Sequence, residues 1–377
     1  MDFDWTPEQR RLAAEAAEVA GDAVTRFGAH CDAWMTGYSR AFSKELAGRG
    51  WIGMGWPVEH GGGGRPPLDR FIVSEAMLTA GAPIAATWFA DRQIGPSLIA
   101  FGTEEQRRRF LPGILAGETT WCIGMSEPGA GSDVASLRTR ARRTGGGWVV
   151  DGQKTWTSFA AGADFCYLIC RTGDGTGHRG ISELIVPMDT PGVTVRPIVD
   201  MAGGRHFCEV FFDGVEVPAD NLVGAEGAAF GQTMRQLEHE RGGVDRLLSN
   251  RLLYDAALPH ADVSKAEVRQ EIARLETGYR VGRLLVLRET ARQGPAGFSA
   301  VTKAFCTSHE QRVAAFVSHT LGLPALAWDG LGRGLAYSPS YTIMGGTSEV
   351  LRNIIAERML KLPRENKVYR SFGILSG

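Results

Sequence analysis

Four short segments carry residue types that could do chemistry. Residues 122–133 read Cys-Ile-Gly-Met-Ser-Glu-Pro-Gly-Ala-Gly-Ser-Asp. The small residues Gly129, Ala130, Gly131 and Ser132 permit close backbone approach and leave N–H donors for a flat polar or anionic ligand, although such runs are more often plain turns. Lys154-Thr155-Trp156-Thr157-Ser158 sets an aromatic plane and a hydroxyl two residues apart, on one side of a strand. That pairing suits a planar heteroaromatic cofactor; a core Trp beside an edge Ser is the plainer alternative. Gly345-Gly346-Thr347-Ser348 is a flexible turn feeding a helix N-terminus, where backbone donors favour phosphate, or simply a helix cap. In His239-Glu240-Arg241-Gly242-Gly243, Glu240 has Leu237 at i−3 and Val244 at i+4, so it borders an apolar stripe. Partial desolvation there raises a carboxylate's basicity. A surface Glu paired with a cation is the alternative, and Glu238 is its nearest rival on the helix.

The elements that must position these groups fall into three blocks. Thr6 followed by Pro7 reads as an N-cap with Pro at N1, opening an Ala-rich helix through 27. Shorter helices are predicted over 68–80, 93–101 and 103–116, the last from a capping-box start at Thr103. From Trp121 the texture turns to strands: 165–171, 181–188, 193–199 and 208–217, with the Asp151-Gly152 pair predicting a hairpin. After Gly224 the helical period returns. Phe230, Met234, Leu237, Arg241, Val244 and Leu248 fall on one stripe, Val268, Ile272, Leu275 and Tyr279 on another, and Phe305, Val313, Phe316 and Thr320 on a third. The expected fold class is α+β: an N-terminal helical domain (1–120), a small central β domain (121–224) and a C-terminal helical bundle (225–377).

Composition narrows the function classes. The 377 residues carry 41 Lys and Arg against 42 Asp and Glu, which excludes a strongly basic nucleic-acid face as the main theme. A hydrophobic fraction of 44% and a charged fraction of 22% are those of a soluble globular protein. No run of 18 apolar residues predicts a membrane span, and no signal-peptide pattern opens the chain. The six cysteines show no zinc spacing; Cys166 and Cys170 read as same-face core residues, no metal site is expected, and the compartment reads as reducing and cytoplasmic.

Together these segments resemble the acyl-CoA dehydrogenase family over nearly the whole chain. The resemblance is carried by 51–64 (WIGMGWPVEHGGGG), 102–117 (GTEEQRRRFLPGILAG), SEPGAGSD at 126–133, DGQKTWTS at 151–158, RGIS at 179–182, ERGG at 240–243 and GGTSEVLRNIIAERMLKLP at 345–363, in the family's order. It implies a three-domain flavoprotein with FAD, catalysing α,β-dehydrogenation of an acyl thioester on coenzyme A or an acyl-carrier protein. Carried over by position, Met125, Ser126, Gly131 and Ser132 would face the flavin and the acyl entrance, with Ser132 also touching substrate. Trp156 would pack on the isoalloxazine, Ser158 would bond flavin N5, and Thr347, Ser348 and Glu349 would bind near the FAD pyrophosphate. Arg241 would stand at the substrate mouth and Gly346 beside the substrate.

One departure bears on catalysis. Where many members carry Tyr-Glu-Gly-Thr, with Glu as base, this chain has Met344-Gly345-Gly346-Thr347. A subset resembling the isovaleryl and long-chain enzymes supplies the base from a third-domain helix, and Glu240 matches that position. The implied mechanism has Glu240 taking the α-proton while the β-hydrogen leaves as hydride to the flavin, and Gly345 lending its backbone N–H to the thioester carbonyl. A second departure is that 288–297 lacks the family's Arg-x-x-Phe-Gly type of segment for intersubunit FAD contact. A homodimer or homotetramer and an electron-transfer flavoprotein as acceptor are still implied. The alternatives are a flavin oxidase or monooxygenase on the same fold, and a non-catalytic subunit of a heteromeric dehydrogenase.

Overall fold

The computed structural model describes residues 4–363 apart from 174, 176, 328 and 329, and at 237–240 the backbone alone. Helices α1 (Pro7–Phe27), α2 (Ala33–Thr36), α3 (Arg40–Gly48), α4 (Pro67–Ala80), α5 (Ala85–Phe89), α6 (Gly95–Phe101) and α7 (Glu104–Leu115) come first. Strands β1 (Trp121–Gly124), β2 (Arg140–Arg143), β3 (Gly147–Ser158), β4 (Phe165–Arg171), β5 (Ile181–Pro187), β6 (Val193–Pro197), β7 (Phe207–Pro218) and β8 (Leu222–Val223) follow. The chain ends in α8 (Ala229–Arg241), α9 (Asp245–Leu248), α10 (Arg251–Ala257), α11 (Ala266–Thr290), α12 (Phe298–Leu321), α13 (Gly330–Tyr337) and α14 (Ser348–Ile354). The expected α+β class is the observed one, and no described helix is long and apolar enough to cross a membrane.

Local chemistry sets the helix starts. The Thr6 hydroxyl accepts from the Gln9 amide at 3.2 Å and the Gln9 side chain accepts back from the Thr6 amide at 3.1 Å. Thr103 and Gln106 repeat the exchange at α7. The Gln106 side chain also donates to the carbonyls of Asp220 and Leu222, fastening α7 to the end of the sheet.

The sheet runs β6-β7-β3-β2-β4-β5-β8, with β1 parallel to β4 off that path. Strand β4 is buried on both faces, which is why it reads as an unbroken apolar run. Cys166, Leu168 and Cys170 join Cys122, Cys208 and Trp148 in the core inside the sheet. Tyr167 and Ile169 point the other way, into the core shared with the helices. On that face the buried Glu183 carboxylate accepts from Tyr167 (2.7 Å), Thr233 (2.8 Å) and Gln232 (2.9 Å), which docks α8 on β5.

Two sequence expectations fail for identifiable reasons. Asp151-Gly152 is not a hairpin: β3 continues through it opposite β7, with a register irregularity between Val150 and Gly152. Gly152 sits at φ +147° against Thr139, and the Asp151 carboxylate accepts from the Gly214 amide at 2.9 Å, so the pair makes a bulge. The stripe from Phe230 to Leu248 is not one helix. It breaks at Gly242–Gly243, where a Cβ would meet Glu289 at one glycine and the side chains of Asp245 and Arg92 at the other. Neighbouring side chains account for those glycines.

Between α5 and α6, residues Ala90–Ile94 form a π-helical turn in which the Gly95 amide donates to Ala90. Pro96 has no N–H, so an ordinary i→i−4 bond to Arg92 cannot form. The turn carries Arg92 inward to an ion pair with Asp245 at the start of α9, both side chains buried. A second buried cluster ties the ends of the chain: Tyr341 donates to Asp32 and, at 3.1 Å, to Asn250, whose amide N–H donates to Glu310. Burial pushes the Asp32 carboxyl up to about 7, opposed by its hydrogen bonds from Tyr341 and Ser249 and by the Arg246 charge.

Two predictions follow from this packing. A Cβ on Gly95 would lie 2.0 Å from the Trp56 ring, so Gly95→Ala should destabilise the fold by about 1–3 kcal/mol, read as a lowered urea midpoint. Asp32 sits at φ +53°, which Asn tolerates, so Asp32→Asn isolates the charge. Because the folded value of about 7 lies above the ordinary ~3.9, the wild type loses stability as pH rises between them. Urea denaturation should therefore show the variant gaining on the wild type from pH 5 to pH 8, by at most ~1.4 kcal/mol per pH unit. Parallel pH profiles for the two proteins would remove Asp32 as the titrating group.

Candidate active site

The Lys154–Ser158 segment is the end of β3, and a second irregularity falls within it: Lys154 pairs with Val210 but Thr157 pairs with Cys208. The extra residue turns Lys154 inward and Trp156 outward. Trp156 takes φ +58°, in the left-handed region, and its indole is 56% exposed. Lys154 is fully buried and pairs with Glu127 at 2.8 Å, while also donating to the Met125 carbonyl at 3.0 Å. Glu127 further accepts the amides of Arg138 (2.6 Å) and Thr139 (2.8 Å). Burial pushes the Glu127 carboxyl up, but the Lys154 ammonium and those amides outweigh it and hold it below the usual carboxylate range. The Thr155 amide donates to the Ser126 carbonyl at 2.9 Å. The glycine-rich loop and the Trp-bearing strand are thus one unit.

Within that loop, Ser132 and Gly131 are exposed, and Met125 and Ser126 are half-buried. Gly129 and Gly131 have no positive φ and no neighbour within 4 Å of a built Cβ, so the chain's own packing does not require glycine there. Beside the exposed indole, Ser158 is half-buried and the buried Thr157 hydroxyl has no protein partner. A flat ligand presenting polar edges fits an open aromatic face beside the half-buried Ser158 and a bare backbone loop.

The third segment is connected to the second by rings. Trp156 meets Phe207 edge-on at 5.7 Å, Phe207 stacks with Tyr337 at 6.3 Å, and Tyr337 meets Tyr341 at 5.9 Å. Four residues beyond Tyr341 the chain turns at Gly345 and Gly346, both with positive φ (68° and 101°). Arg241, at the end of α8, donates from Nε to the Gly345 carbonyl at 3.2 Å. The buried Lys303 ammonium donates to the Gly346 carbonyl at 2.9 Å and to that of Tyr341 at 3.3 Å. Among the described residues, the amides of Gly345 and Gly346 donate to no acceptor.

The structure therefore gathers the predicted residues unevenly. Arg241, expected at an open mouth, is 8% exposed and committed to the turn. The Thr347 hydroxyl caps its own helix by accepting from Val350 at 3.2 Å; Ser348 is buried and Glu349 is exposed, 3.8 Å from Arg352. The backbone at 240 lies in the last turn of α8, one residue before Arg241, and the Glu240 side chain lies outside the described residues. Sequence reasoning missed Glu127–Lys154 as a pair, Lys303, and Arg92–Asp245. The only available signal was a charged residue inside an otherwise small or apolar stretch, as Lys303 is between Ala300 and Cys306.

Comparison with known proteins converges on one family. Its models match as "Acyl-CoA dehydrogenase, N-terminal domain" over residues 6–118, "middle domain" over 122–215 and "C-terminal domain" over 228–360. The chain is similar to acyl-CoA dehydrogenase IpdE1 of Mycobacterium tuberculosis, 40% identical over 346 residues, covering 87% of this chain and 89% of the relative. Among solved structures it is similar to the Tcur3481-Tcur3483 steroid ACAD, with a TM-score of 0.87 and 30% identity over 97% of this chain and 100% of that one. It is also similar to the ChsE4-ChsE5 complex from Mycobacterium tuberculosis, with a TM-score of 0.85 and 31% identity over 97% and 100%.

Proposed function

This chain belongs to the acyl-CoA dehydrogenase family, and we propose that it uses FAD to convert a bulky, ring-bearing acyl-CoA to its 2-enoyl thioester, with Glu240 as the base. The observation that carries the reading is the bond from Arg241 to Gly345, which brings the end of the helix bearing residue 240 onto the turn whose amides stand free. The ring-bearing acyl group is supported by the "steroid ACAD" name of a similar structure and by a cavity of about 670 Å³ walled by Trp56, Phe71, Trp88 and Phe101.

FAD, when bound, supplies the two-electron acceptor for the β-hydrogen. Trp156 and Ser158 fit its ring system, and Met125, Ser126, Gly131 and Ser132 fit its edge and the acyl entrance. Thr347, Ser348 and Glu349 are proposed to meet its pyrophosphate region through backbone rather than through the Thr347 hydroxyl, which is already engaged.

The chain's own residues handle the α-proton. A thioester α-carbon is a weak acid, so its ionisation needs donors aimed at the carbonyl oxygen. The free Gly345 amide is the proposed donor, with Gly346 against the substrate. Arg241 and Lys303 hold the turn by its carbonyls, which leaves the N–H edge unspent. This explains how the turn keeps its shape without the carboxylate that many relatives carry there. Glu240, one turn of helix from the cavity residue Gln236, is proposed to take the proton.

The paired names of the two similar complexes favour a second reading of assembly: this chain works beside an unlike subunit rather than a copy of itself. Native mass spectrometry of the purified yellow protein separates the two, since a homo-oligomer retaining FAD excludes the need for an unlike partner.

Anaerobic mixing with thioesters on coenzyme A and on an acyl-carrier protein should bleach the flavin with the former, and an electron-transfer flavoprotein or dye should restore colour faster than oxygen does. Glu240→Gln should stay yellow and lose at least ~100-fold in turnover. Near-full activity in that variant would return the base to another residue, and rapid reoxidation by oxygen would favour an oxidase.

A further inference from the structure

The cavity between the N-terminal helices and α8 is polar in one particular way. The ion pairs on its wall are matched within the protein: the half-buried Arg70 with Asp91 at 3.0 Å, and the buried Arg92 with Asp245. Arg235 also lines it but is exposed, lying over the Phe101 ring at 5.7 Å. Two amides are left over. Gln93, from the π-helical turn, is 3% exposed, and its Nε2 has no partner. Gln236, from α8, is 4% exposed, and neither its Nε2 nor its Oε1 has one. Both line the cavity, and the two elements that carry them pack against each other.

A buried amide left without a partner loses its hydration and gains nothing in return, so the retention of two in an aromatic-walled cavity asks for an occupant that satisfies them. A hydrocarbon chain cannot. Among the described residues lining the cavity, the one buried cation, Arg92, already has Asp245, so a carboxylate is not called for. A neutral oxygen can do so: a hydroxyl accepts from an Nε2 and donates to an Oε1, and Gln236 offers both. Position 240 is four residues beyond Gln236 on α8, a rise of about 6 Å.

We infer that Gln93 and Gln236 recognise a hydroxyl or ketone oxygen on the ring of the acyl group. This inference deepens the dehydrogenase reading and rests on it. It makes the enzyme selective for an oxygenated cyclic acyl-CoA over its hydrocarbon counterpart. The reaction that supplies this substrate must then be a thioester-forming activation of a carboxylic acid already hydroxylated or oxidised on its ring.

The test compares 3-(4-hydroxycyclohexyl)propanoyl-CoA with 3-cyclohexylpropanoyl-CoA on the FAD-loaded wild type and on Gln236→Leu and Gln93→Leu. Binding is read by thermal shift and chemistry by anaerobic bleaching. The wild type should favour the hydroxylated ester by about 100-fold in kcat/KM, since a site built to pair a hydroxyl rejects its deoxy analogue. Gln236→Leu should cut that ratio at least tenfold, and its ligand-free melting temperature should rise because an unpaired amide is gone. Equal handling of the two esters by the wild type, or an undiminished ratio in both variants, overturns the inference; such a result means that water satisfies the amides. A hydroxyl preference in thermal shift with no bleaching by any thioester would instead sink the dehydrogenase reading while leaving the recognition intact.

Discussion

The Gly345–Gly346 turn has its two carbonyl oxygens on two cations, Arg241 from the end of α8 and Lys303 from the middle of α12. A buried ammonium or guanidinium loses its hydration shell and must recover it from protein oxygens. The turn supplies those oxygens only in the left-handed conformation that glycine adopts without strain. Cations and glycines therefore constrain one another. A side chain at 346, where φ is +101°, would strain the turn, and displacement of the turn would take a carbonyl partner from each cation. α8, α12 and the segment entering α14 are held in one arrangement by this exchange.

The break after α8 belongs to the same logic. A continuous helix would carry residues 242–248 along the axis of α8, away from the π-helical turn that presents Arg92. Two glycines cost the helix roughly 1 kcal/mol each and let the Arg92–Asp245 pair sit against the backbone at 243. Such a pair contributes little net stability, because desolvation consumes most of its attraction. Its effect is positional: it fixes the N-terminal helices against the start of α9, with the cavity between them. The Tyr341 contacts with Asp32 and Asn250 do the same on the other side of the bundle.

What could be read from the sequence was what neighbouring residues determine. The caps at Thr6 and Thr103, the extent of β4 and the common face of Cys166 and Cys170 all rest on interactions spanning a few positions, and the structure has them where the pattern placed them. Asp151-Gly152 misled because the same dipeptide serves a hairpin or a bulge, and the choice is made by β7, sixty residues away. The helical stripe through 248 misled because periodicity is blind to Arg92, 153 residues upstream of its partner. Gln93 and Gln236 were invisible for a related reason. An amide on a helix looks solvated in sequence, and only the packing shows that it has been buried without a partner.

The strain at Trp156 gathers these strands into one device. A non-glycine residue in the left-handed region costs on the order of 1–3 kcal/mol and persists only when its surroundings fix it. Here they do. Lys154 cannot rotate outward without leaving Glu127 buried and unpaired, and Glu127 cannot leave without freeing the amides of Arg138 and Thr139. With Lys154 pinned inward and Thr157 back in register with Cys208, the surplus residue between them has to bulge outward. The indole is consequently exposed by a buried ion pair, not by a lack of neighbours. That same pair holds the loop from Met125 to Ala130, so the aromatic face and the backbone donors beside it cannot drift apart. A flat ligand bound between them meets a surface already set before it arrives, and the ordering cost has been met in folding.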